Sequence, residues 1–228
     1  MPLVVLPAQQ SDIKVLHDIY FAAFKNEPVM GFLFPGGVDR EAYDQVMKDS
    51  WGHDTNVYPI KCVDTDTGEI VGIANWEIFW RPGAENGWKM PEGMPWLTGK
   101  ERERSESVIM PVWEIRDQLF SGRRHVYLQT TAVHPDHQRR GAGTLLLRWG
   151  MEVADKLELP LYLEATGTGL LLYEHEGFER LTHVRIIQKA EATGFETDIE
   201  VPLMVRLPSK AGGISFKEWA DKGYPESY

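Results

Sequence analysis

Seven consecutive residues of this sequence have the types and spacing of a phosphate-binding loop. They read Gln-Arg-Arg-Gly-Ala-Gly-Thr, after a β-rich run that ends in Ala132-Val133 and before an amphipathic helical pattern. Glycine lets the chain turn tightly, and the first amides of a helix lack intrahelical partners and lie at the positive end of its dipole. Such amides bind pyrophosphate, and nearby arginines add positive charge. The pattern predicts a pyrophosphate site formed by Gln138, Arg139, Arg140, Gly141, Ala142, Gly143 and Thr144.

Three other kinds of site that use similar residues match this sequence poorly. A Walker A loop ends in Gly-Lys-Ser/Thr, and Gly143-Thr144 lacks the lysine. A dinucleotide-binding fingerprint has a third glycine where this chain has Leu146. The 7 histidines and the single cysteine, Cys62, have no zinc-ligand spacing, so no metal is expected.

A strand, a helix and a second strand must position the loop. The helical pattern after the loop places five residues on one face, ends before Pro160, and is followed by a strand-like run over 161–165. Two strands joined by one helix form a parallel, right-handed unit. The residues on the predicted inner face of the helix are Leu146, Trp149, Gly150, Val153 and Leu157.

Two neighbouring segments accompany the loop in a fixed order. Ala132-Val133-His134-Pro135 precedes it, and Tyr173-Glu174-His175-Glu176-Gly177-Phe178 follows it. Together with the loop they resemble the GCN5-related N-acetyltransferase (GNAT) superfamily, whose acyl-CoA loop reads Gln/Arg-x-x-Gly-x-Gly/Ala. Leu163-Glu164-Ala165-Thr166 also resembles a segment of puromycin-type antibiotic acetyltransferases, which indicates a fungal or puromycin-acetyltransferase-like branch.

The resemblance implies both a fold and an activity. The expected fold is α/β (α+β): a mixed, mostly antiparallel twisted sheet flanked by helices, in which the two central parallel strands splay apart. The expected activity is direct transfer of an acetyl group from acetyl-CoA to a primary amine of a small molecule. The pantetheine arm of CoA would pair with the strand end Thr131, Ala132 and Val133. Two alternatives stay open: a protein N-terminal or lysine acetyltransferase, and a CoA-binding module without catalysis.

Two residues are the candidate catalytic groups. Tyr173 matches the family position near the leaving sulfur, where a tyrosine serves as general acid; packing of its helix is the other interpretation. Some relatives place a base in the fourth strand, but Tyr127 and Gln129 stand at the comparable positions and neither is a useful base at neutral pH. Glu164, at the end of the next strand, is predicted to be the base, acting through water, or an anchor for the amine; anchoring of the following turn is the other interpretation. Gln129 is kept as a candidate for binding the acceptor.

The acceptor side is predicted from aromatic residues. The N-terminal helical pair, capped by Ser11 and Asp39, and its loop form one wall of the acceptor site in GNAT-like folds, which makes Phe32 and Phe34 candidates for that wall. Residues 81–122 depart from the compact family plan as an insertion that carries Trp88, Trp96 and Trp113. Long irregular segments in compact domains are often functional lids. We therefore expect a cover over the acceptor pocket, with simple packing on the sheet as the alternative.

Three features of the remaining chain are predicted from local pattern. Residues 58–64 and 69–80 read as a hairpin around a Thr-Asp-Thr-Gly turn. Val46 is expected on the inner face of the helix that Asp39 caps, and residues 181–189 and 201–207 read as a closing antiparallel pair. The residues from about 208 to 228 are predicted to form a polar tail with a small amphipathic turn around Phe216 and Trp219.

Composition limits the remaining possibilities. The chain has 228 residues with 43% hydrophobic content, which suits one domain over 1–228 that contains the insertion and the tail. A formal net charge of -10 argues against a nucleic-acid partner. No apolar run approaches the ~20 residues of a membrane span. A single cysteine fits a reducing, cytoplasmic location. A monomer or homodimer is expected.

Overall fold

The computed structural model describes residues 2–225, and all structural statements below concern that range. The strands are β1 (Leu3–Pro7), β2 (Val57–Asp64), β3 (Ile70–Phe79), β4 (His125–Val133), β5 (Leu161–Glu164), β6 (Glu179–Arg180), β7 (Ile186–Gln188), β8 (Ile199–Val201) and β9 (Leu203–Arg206). The helices are α1 (Ile13–Ala23), α2 (Met30–Leu33), α3 (Arg40–Ser50), α4 (Gly99–Phe120), α5 (Ala142–Leu157), α6 (Leu170–His175), α7 (Ala190–Thr193) and α8 (Phe216–Asp221).

The main sheet has the mixed topology predicted from the sequence. Its strand order is β1-β2-β3-β4-β5-β9-β6, and every neighbouring pair is antiparallel except β4 and β5. The hairpin predicted over 58–64 and 69–80 is β2 and β3. The α/β fold with a central parallel pair is therefore confirmed.

The closing antiparallel pair was predicted wrongly in its extent. The run 181–189 does not form one strand, because β6 ends at Arg180 and β7 begins only at Ile186. β6 joins the main sheet beside β9, whereas β7 and β8 form a separate two-stranded sheet. The apolar residues that the sequence pattern assigned to one pair of strands therefore belong to two short ladders, β6–β9 and β7–β8.

One face of the sheet packs against α5. Ala74, Trp76 and Ile78 of β3, Val126 and Leu128 of β4, and Leu161 and Leu163 of β5 point to this face at every second position, as the twofold period of a strand requires. Gly150 lets α5 approach very closely, because a Cβ there would lie 2.3 Å from the Trp76 ring. Leu146 and Gly150 of the predicted inner face are buried, and Trp149, Val153 and Leu157 pack against the same core.

The opposite face is covered by α1, α4 and α8. Leu16 and Ile19 of α1 pack on Ile73 and Ala132. At the other end of the sheet, the last turn of α4 packs with β5, β9 and α8. Phe216 and Trp219, which the sequence placed in a polar tail, are both buried in this cluster. As far as residue 225 the tail is thus an integral part of the core at this end, and residues 226–228 lie outside the described range.

Two local predictions in the N-terminal helices need correction. Ser11 does not cap α1: it lies in a 3-10 turn, Gln10–Asp12, where Gln9 and Asp12 form a capping box. Val46 of α3 points to solvent, with 63% of its surface exposed, since α3 makes only a few contacts through its other face. Asp39 does cap α3, by accepting a hydrogen bond from the Ala42 amide at 3.1 Å.

The segment predicted to be an insertion, residues 81–122, begins irregularly and contains the longest helix of the described residues. Residues 81–98 contain a 3-10 turn over Ala84–Asn86, and α4 follows with Pro111 in its interior. Val108 and Ile109 of α4 pack with Phe32 and Met94, and Arg104 donates to the Thr193 carbonyl at 2.7 Å. The insertion is therefore anchored to both α2 and α7. Within residues 2–225 no helix is long and apolar enough to cross a membrane.

Candidate active site

The predicted phosphate loop has the backbone conformation of an anion-binding turn. It links the 3-10 turn Pro135–His137 to α5, and Arg139 (φ 62°) and Gly141 (φ 90°) are left-handed on either side of Arg140. A left-handed conformation costs little at glycine and more at arginine. Alternation of this kind turns successive amides towards one concave side, at the positive end of α5. The conformation suits a phosphate group.

Side chains fix the loop from behind. Arg140 forms an ion pair with the buried carboxylate of Asp64, at the end of β2, and its other guanidinium nitrogen lies 2.9 Å from His137 Nδ1. The hydrogen bond from Arg140 lowers the pKa of Asp64, so the pair stays ionised. Gln138 donates to the Val133 carbonyl at 3.3 Å. Among the predicted loop residues, Arg140 and Gln138 therefore brace the turn, while Arg139 is exposed.

Gly143 has no need to be glycine for the protein's own packing. Its φ is not in the left-handed region, and a Cβ there would meet Leu172 at 3.5 Å and Val133 at 3.8 Å, which are ordinary contacts. Gly141, in contrast, requires glycine because of its φ. A glycine that neither conformation nor packing demands is explained when another molecule must approach the backbone closely. Gly143 lies where the predicted pyrophosphate would contact the first turn of α5.

The two central strands separate towards this loop. β4 and β5 are registered only at Val126–Leu161 and Tyr127–Tyr162. β4 then continues to Val133, so Thr131, Ala132 and Val133 lie beyond the last pair. A bulge at Gln129 interrupts the β3–β4 ladder, because Trp76 pairs with Leu128 and Asn75 pairs with Thr130. Bulges bend a strand, which helps β4 to diverge from β5.

The two predicted catalytic residues lie on opposite faces of the sheet. Glu164 ends β5 and points to the α4 face, where Tyr162 also points. Tyr173 belongs to the core on the α5 face, with its ring 5.8 Å from that of Phe178. Burial raises the pKa of Tyr173 to about 12. Glu164 lies beyond the last β4–β5 pair, Tyr127–Tyr162, so the two strands begin to separate beside it.

Glu164 is the centre of a buried group of polar side chains. It accepts a hydrogen bond from the Tyr127 hydroxyl at 2.8 Å. Arg116, from α4, lies over the Tyr127 ring, 3.5 Å from its centroid, and forms an ion pair of 2.8 Å with Glu77 of β3. Burial raises the pKa of Glu164, and the Arg116 charge and the Tyr127 hydrogen bond oppose that rise. A buried carboxyl group with a raised pKa and charged neighbours is a candidate for proton transfer.

His125 closes the group on the side of β4. Its Nδ1 lies 2.9 Å from the Arg123 carbonyl, so Nδ1 carries the proton and Nε2 faces Arg116 at 3.4 Å. Its ring stacks between Phe79 and Phe120. Burial, followed by the Arg116 charge, lowers the pKa of His125 to about 3, so it is neutral at neutral pH. It cannot then contribute positive charge to the site.

The model of the acetyltransferase (GNAT) family matches residues 15–178, which include the loop, the splay, Glu164 and Tyr173. The chain belongs to this family. A probable acyltransferase named SID5 from Ajellomyces capsulatus is 37% identical over 142 residues, which are 62% of this chain and 97% of that protein. Like the family and this relative, the chain is an enzyme of the acyltransferase class.

Solved GNAT structures share the fold over nearly the whole chain. A structure from Corynebacterium glutamicum, described as histone acetyltransferase HPA2 and related acetyltransferase, has a TM-score of 0.59 at 24% identity and covers 91% of this chain and 97% of its own. A GNAT phosphinothricin acetyltransferase from Sinorhizobium meliloti, in complex with AcCoA, has a TM-score of 0.57 at 13% identity and covers 95% of each chain. These likenesses show the fold.

The aromatic residues predicted for the acceptor side of this GNAT protein occupy different environments. Trp88 is buried, with the Arg116 guanidinium 4.3 Å from its ring centroid, so it adjoins the polar group around Glu164. Trp113 packs in the cluster of Phe32, while Trp96 is 57% exposed and donates to the Leu33 carbonyl at 3.3 Å. Phe34 packs against Tyr43 of α3. Gln129 hydrogen-bonds with Asn75 on the same face as Glu77. Roles for these residues in substrate binding stay predictions.

Sequence reasoning missed Glu77, Arg116, His125 and Asn75. One signal was available: Asn75 and Glu77 alternate with buried apolar residues of β3, which places polar groups on one face of a central strand. Polar residues there must meet partners on a covering element, because burial without partners is costly. Arg116 gives no such signal, since it is one of several charged residues in a helix of 22 residues. Its position depends on how α4 crosses the sheet.

Proposed function

We propose that this GNAT enzyme transfers an acetyl group from acetyl-CoA directly to a primary amine of a small molecule. The observation that carries the proposal is the pairing of Gly143, a glycine that the protein's own packing does not require, with the splay of β4 from β5. The first leaves room for the pyrophosphate at α5, and the second leaves Thr131, Ala132 and Val133 beyond the paired strands to bind the pantetheine arm. The acetyl-CoA complex of the S. meliloti relative supports this choice of donor.

The chain's own groups divide the reaction between the two faces. The incoming alkylammonium must lose a proton, and Glu164 on the α4 face receives it or orients the amine while water carries it away. The nitrogen then forms a bond to the acetyl carbon as the carbon–sulfur bond breaks, and the extra proton on the acylated nitrogen passes to the thiolate. Tyr173, protonated at neutral pH, donates a hydrogen bond towards the leaving sulfur on the α5 face. In sum, alkylammonium and acetyl-CoA give the N-acetyl amine, free CoA thiol and one proton.

The insertion favours a small acceptor over a peptide. α4 and Trp88 lie over the polar strand face around Glu164, and Arg116 is only 3% exposed. A peptide substrate needs an open groove that accommodates main chain on both sides of the reactive amine. The Phe32 and Phe34 wall and the covering Trp88 and Trp113 are the proposed acceptor boundary, with Trp96 at its exposed rim. Because the C. glutamicum structure is described as a histone acetyltransferase and related acetyltransferase, protein acetylation is the competing candidate function.

The test is a direct acetyl-transfer assay. Purified protein is incubated with acetyl-CoA and separate pools of alkylamines, diamines, arylalkylamines, and peptides with a free N-terminus or lysine. Thiol release and product mass are measured. Acetylation of a small amine with kcat/KM well above that of the peptides supports the proposal. Acetylation of peptides alone contradicts it in favour of a protein acetyltransferase.

Location and assembly belong to the same proposal. We expect a cytoplasmic enzyme, in line with the single buried cysteine, Cys62. Cell fractionation tests the location. A monomer or homodimer is expected, and light scattering after size-exclusion chromatography measures it.

A further inference from the structure

The helix α4 contributes one side chain, Arg116, to the buried polar group around Glu164. Glu77 comes from β3, Tyr127 from β4 and Glu164 from β5. The Arg116 side chain is 4% exposed and that of Glu77 is 14% exposed. A guanidinium is brought this deep only where planar contacts and ion pairs compensate its lost hydration. Here it pairs with Glu77 and lies over the rings of Tyr127 and Trp88.

The charges of this group do not cancel. Two carboxylates, Glu77 and Glu164, face one guanidinium, while His125, Tyr127 and Tyr162 are neutral at neutral pH. Arg116 forms its ion pair with Glu77. Its positive charge lowers the pKa of Glu164, and its guanidinium lies over the ring of Tyr127, which donates a hydrogen bond to Glu164. One negative charge therefore remains with Glu164. A buried negative charge is stabilised by a proton or by a cation that enters the site.

We propose that Arg116 is the positioning residue of the acceptor site: shared between Glu77 and Glu164, it leaves the Glu164 carboxylate as the receptor for the ammonium group of a cationic acceptor. This inference rests on the proposed function and narrows its acceptor to amines that are protonated in solution. Arg116 touches neither the acceptor nor the acetyl group. It sets the orientation of Tyr127 and the charge of Glu164.

A purely structural ion pair predicts something different. Buried ion pairs add little stability compared with apolar replacements, and removal of one partner destabilises because it leaves the other uncompensated. If Arg116 and Glu77 acted on stability alone, without electrostatic contact with Glu164, their loss would lower the melting temperature but leave the ionisation of Glu164 unchanged. If they position Glu164, the two losses act on its ionisation in opposite directions. Loss of Arg116 removes a positive charge, whereas loss of Glu77 removes a negative one and releases Arg116.

The experiment compares Arg116→Met with Glu77→Gln. For each, kcat/KM for the best cationic amine of the acceptor panel is measured from pH 5 to 9. We expect the acidic limb to move to higher pH in Arg116→Met and to lower pH in Glu77→Gln, by about 1 pH unit each. The inference is overturned if the acidic limb of the kcat/KM profile coincides with the wild-type limb in both variants. It is also overturned if the limb moves in the same direction in both. A best acceptor that is uncharged in solution also overturns it.

A second readout does not depend on finding the acceptor. Protein labelled with 13C at glutamate carboxyls is titrated by NMR, and Glu164→Gln assigns the Glu164 signal. Opposite displacements of the Glu164 midpoint in the two variants support the inference, and an unmoved midpoint overturns it. A wild-type enzyme that acetylates no amine contradicts the proposed function, while this titration still decides the role of Arg116.

The Arg116→Lys variant keeps the inference testable if Arg116→Met does not fold. Lysine keeps the charge but lacks the planar contacts with Tyr127 and Trp88. We expect its Glu164 midpoint to stay near that of the wild type while kcat falls, because Tyr127 is less well oriented. A Lys variant with the midpoint expected of Arg116→Met overturns the inference even if the Met variant is unfolded.

Discussion

The two sides of the active site are built in different ways. The proposed cofactor side consists of main chain from 14 consecutive positions, 131–144, with left-handed φ angles at Arg139 and Gly141 and no side chain at Gly143. The proposed acceptor side depends on side chains at positions 77, 116, 127 and 164, which belong to four different elements. One is a local conformation, whereas the other is a product of tertiary packing.

This difference predicts how each side responds to substitution. A site made from backbone amides tolerates most side-chain changes and fails only where a side chain would occupy the ligand's space. A site made from coupled buried side chains loses function when any member changes, and its losses are not additive. Each of the four predictions below tests one side against the other.

The largest effect is expected for Glu164→Gln. The amide keeps the size of the side chain but cannot take up a proton, so kcat should fall by about 10²–10⁴-fold. Since burial raises the pKa of Glu164, wild-type activity should fall with decreasing pH at a value above the ordinary glutamate range. That acidic limb should be absent in the variant. The exposed Glu174→Gln on α6 is the matched control. A Glu164→Gln enzyme that changes only the acceptor KM would identify the carboxylate as an anchor.

Next in size is the loss of acetyl-CoA binding in Gly143→Asp. The carboxylate would stand where the phosphates approach, and like charges at close range cost several kcal/mol, or about 10²-fold in affinity. The melting temperature should hold, since the Cβ has ordinary contacts. Gly141→Ala should instead lower the melting temperature, because alanine is strained at a φ of 90°. Calorimetric titration and thermal melts separate the two. Unchanged acetyl-CoA affinity in Gly143→Asp would contradict the loop assignment.

The contrast between the two sides also explains what could be predicted from the sequence. The loop, the strands beside it and Tyr173 lie close together in the chain, so their spacing carries the information, and the parallel β4–α5–β5 unit is confirmed. Glu164 was predicted because it ends one of these strands, and its role stays a prediction. Arg116 could not be, because only the crossing of α4 over the sheet brings it to Tyr127. The closing strands were misjudged for the same reason: whether Ile186 pairs with β9 or β8 depends on long-range packing.

A smaller effect is expected for Tyr173→Phe, on the cofactor side. A phenol with a pKa of about 12 is a much weaker acid than a thiol, whose ordinary pKa is ~8.5, so full proton donation to the sulfur is uphill. A hydrogen bond to the leaving sulfur is the role that remains, and its loss should lower kcat by about tenfold. Acetyl-CoA affinity should change little. Because a hydroxyl with a pKa of about 12 stays protonated at neutral pH, any basic limb of the wild-type pH profile should persist in the variant. Wild-type turnover would show that Tyr173 only packs.

The smallest effects should distinguish two tryptophans of the insertion, Trp88 and Trp96. Trp88 is buried and supports the Arg116 guanidinium, a contact worth ~0.5–2 kcal/mol, whereas Trp96 is largely exposed and contributes one hydrogen bond to Leu33. Trp88→Leu should lower kcat/KM for the amine about threefold to tenfold and reduce the melting temperature. Trp96→Leu should stay within about twofold, since exposed substitutions change stability by only ~0.5 kcal/mol. Steady-state kinetics with the same acceptor provide the comparison. A larger loss in Trp96→Leu would mean that the exposed rim contacts the acceptor, and that the buried group around Arg116 is not what defines this side of the site.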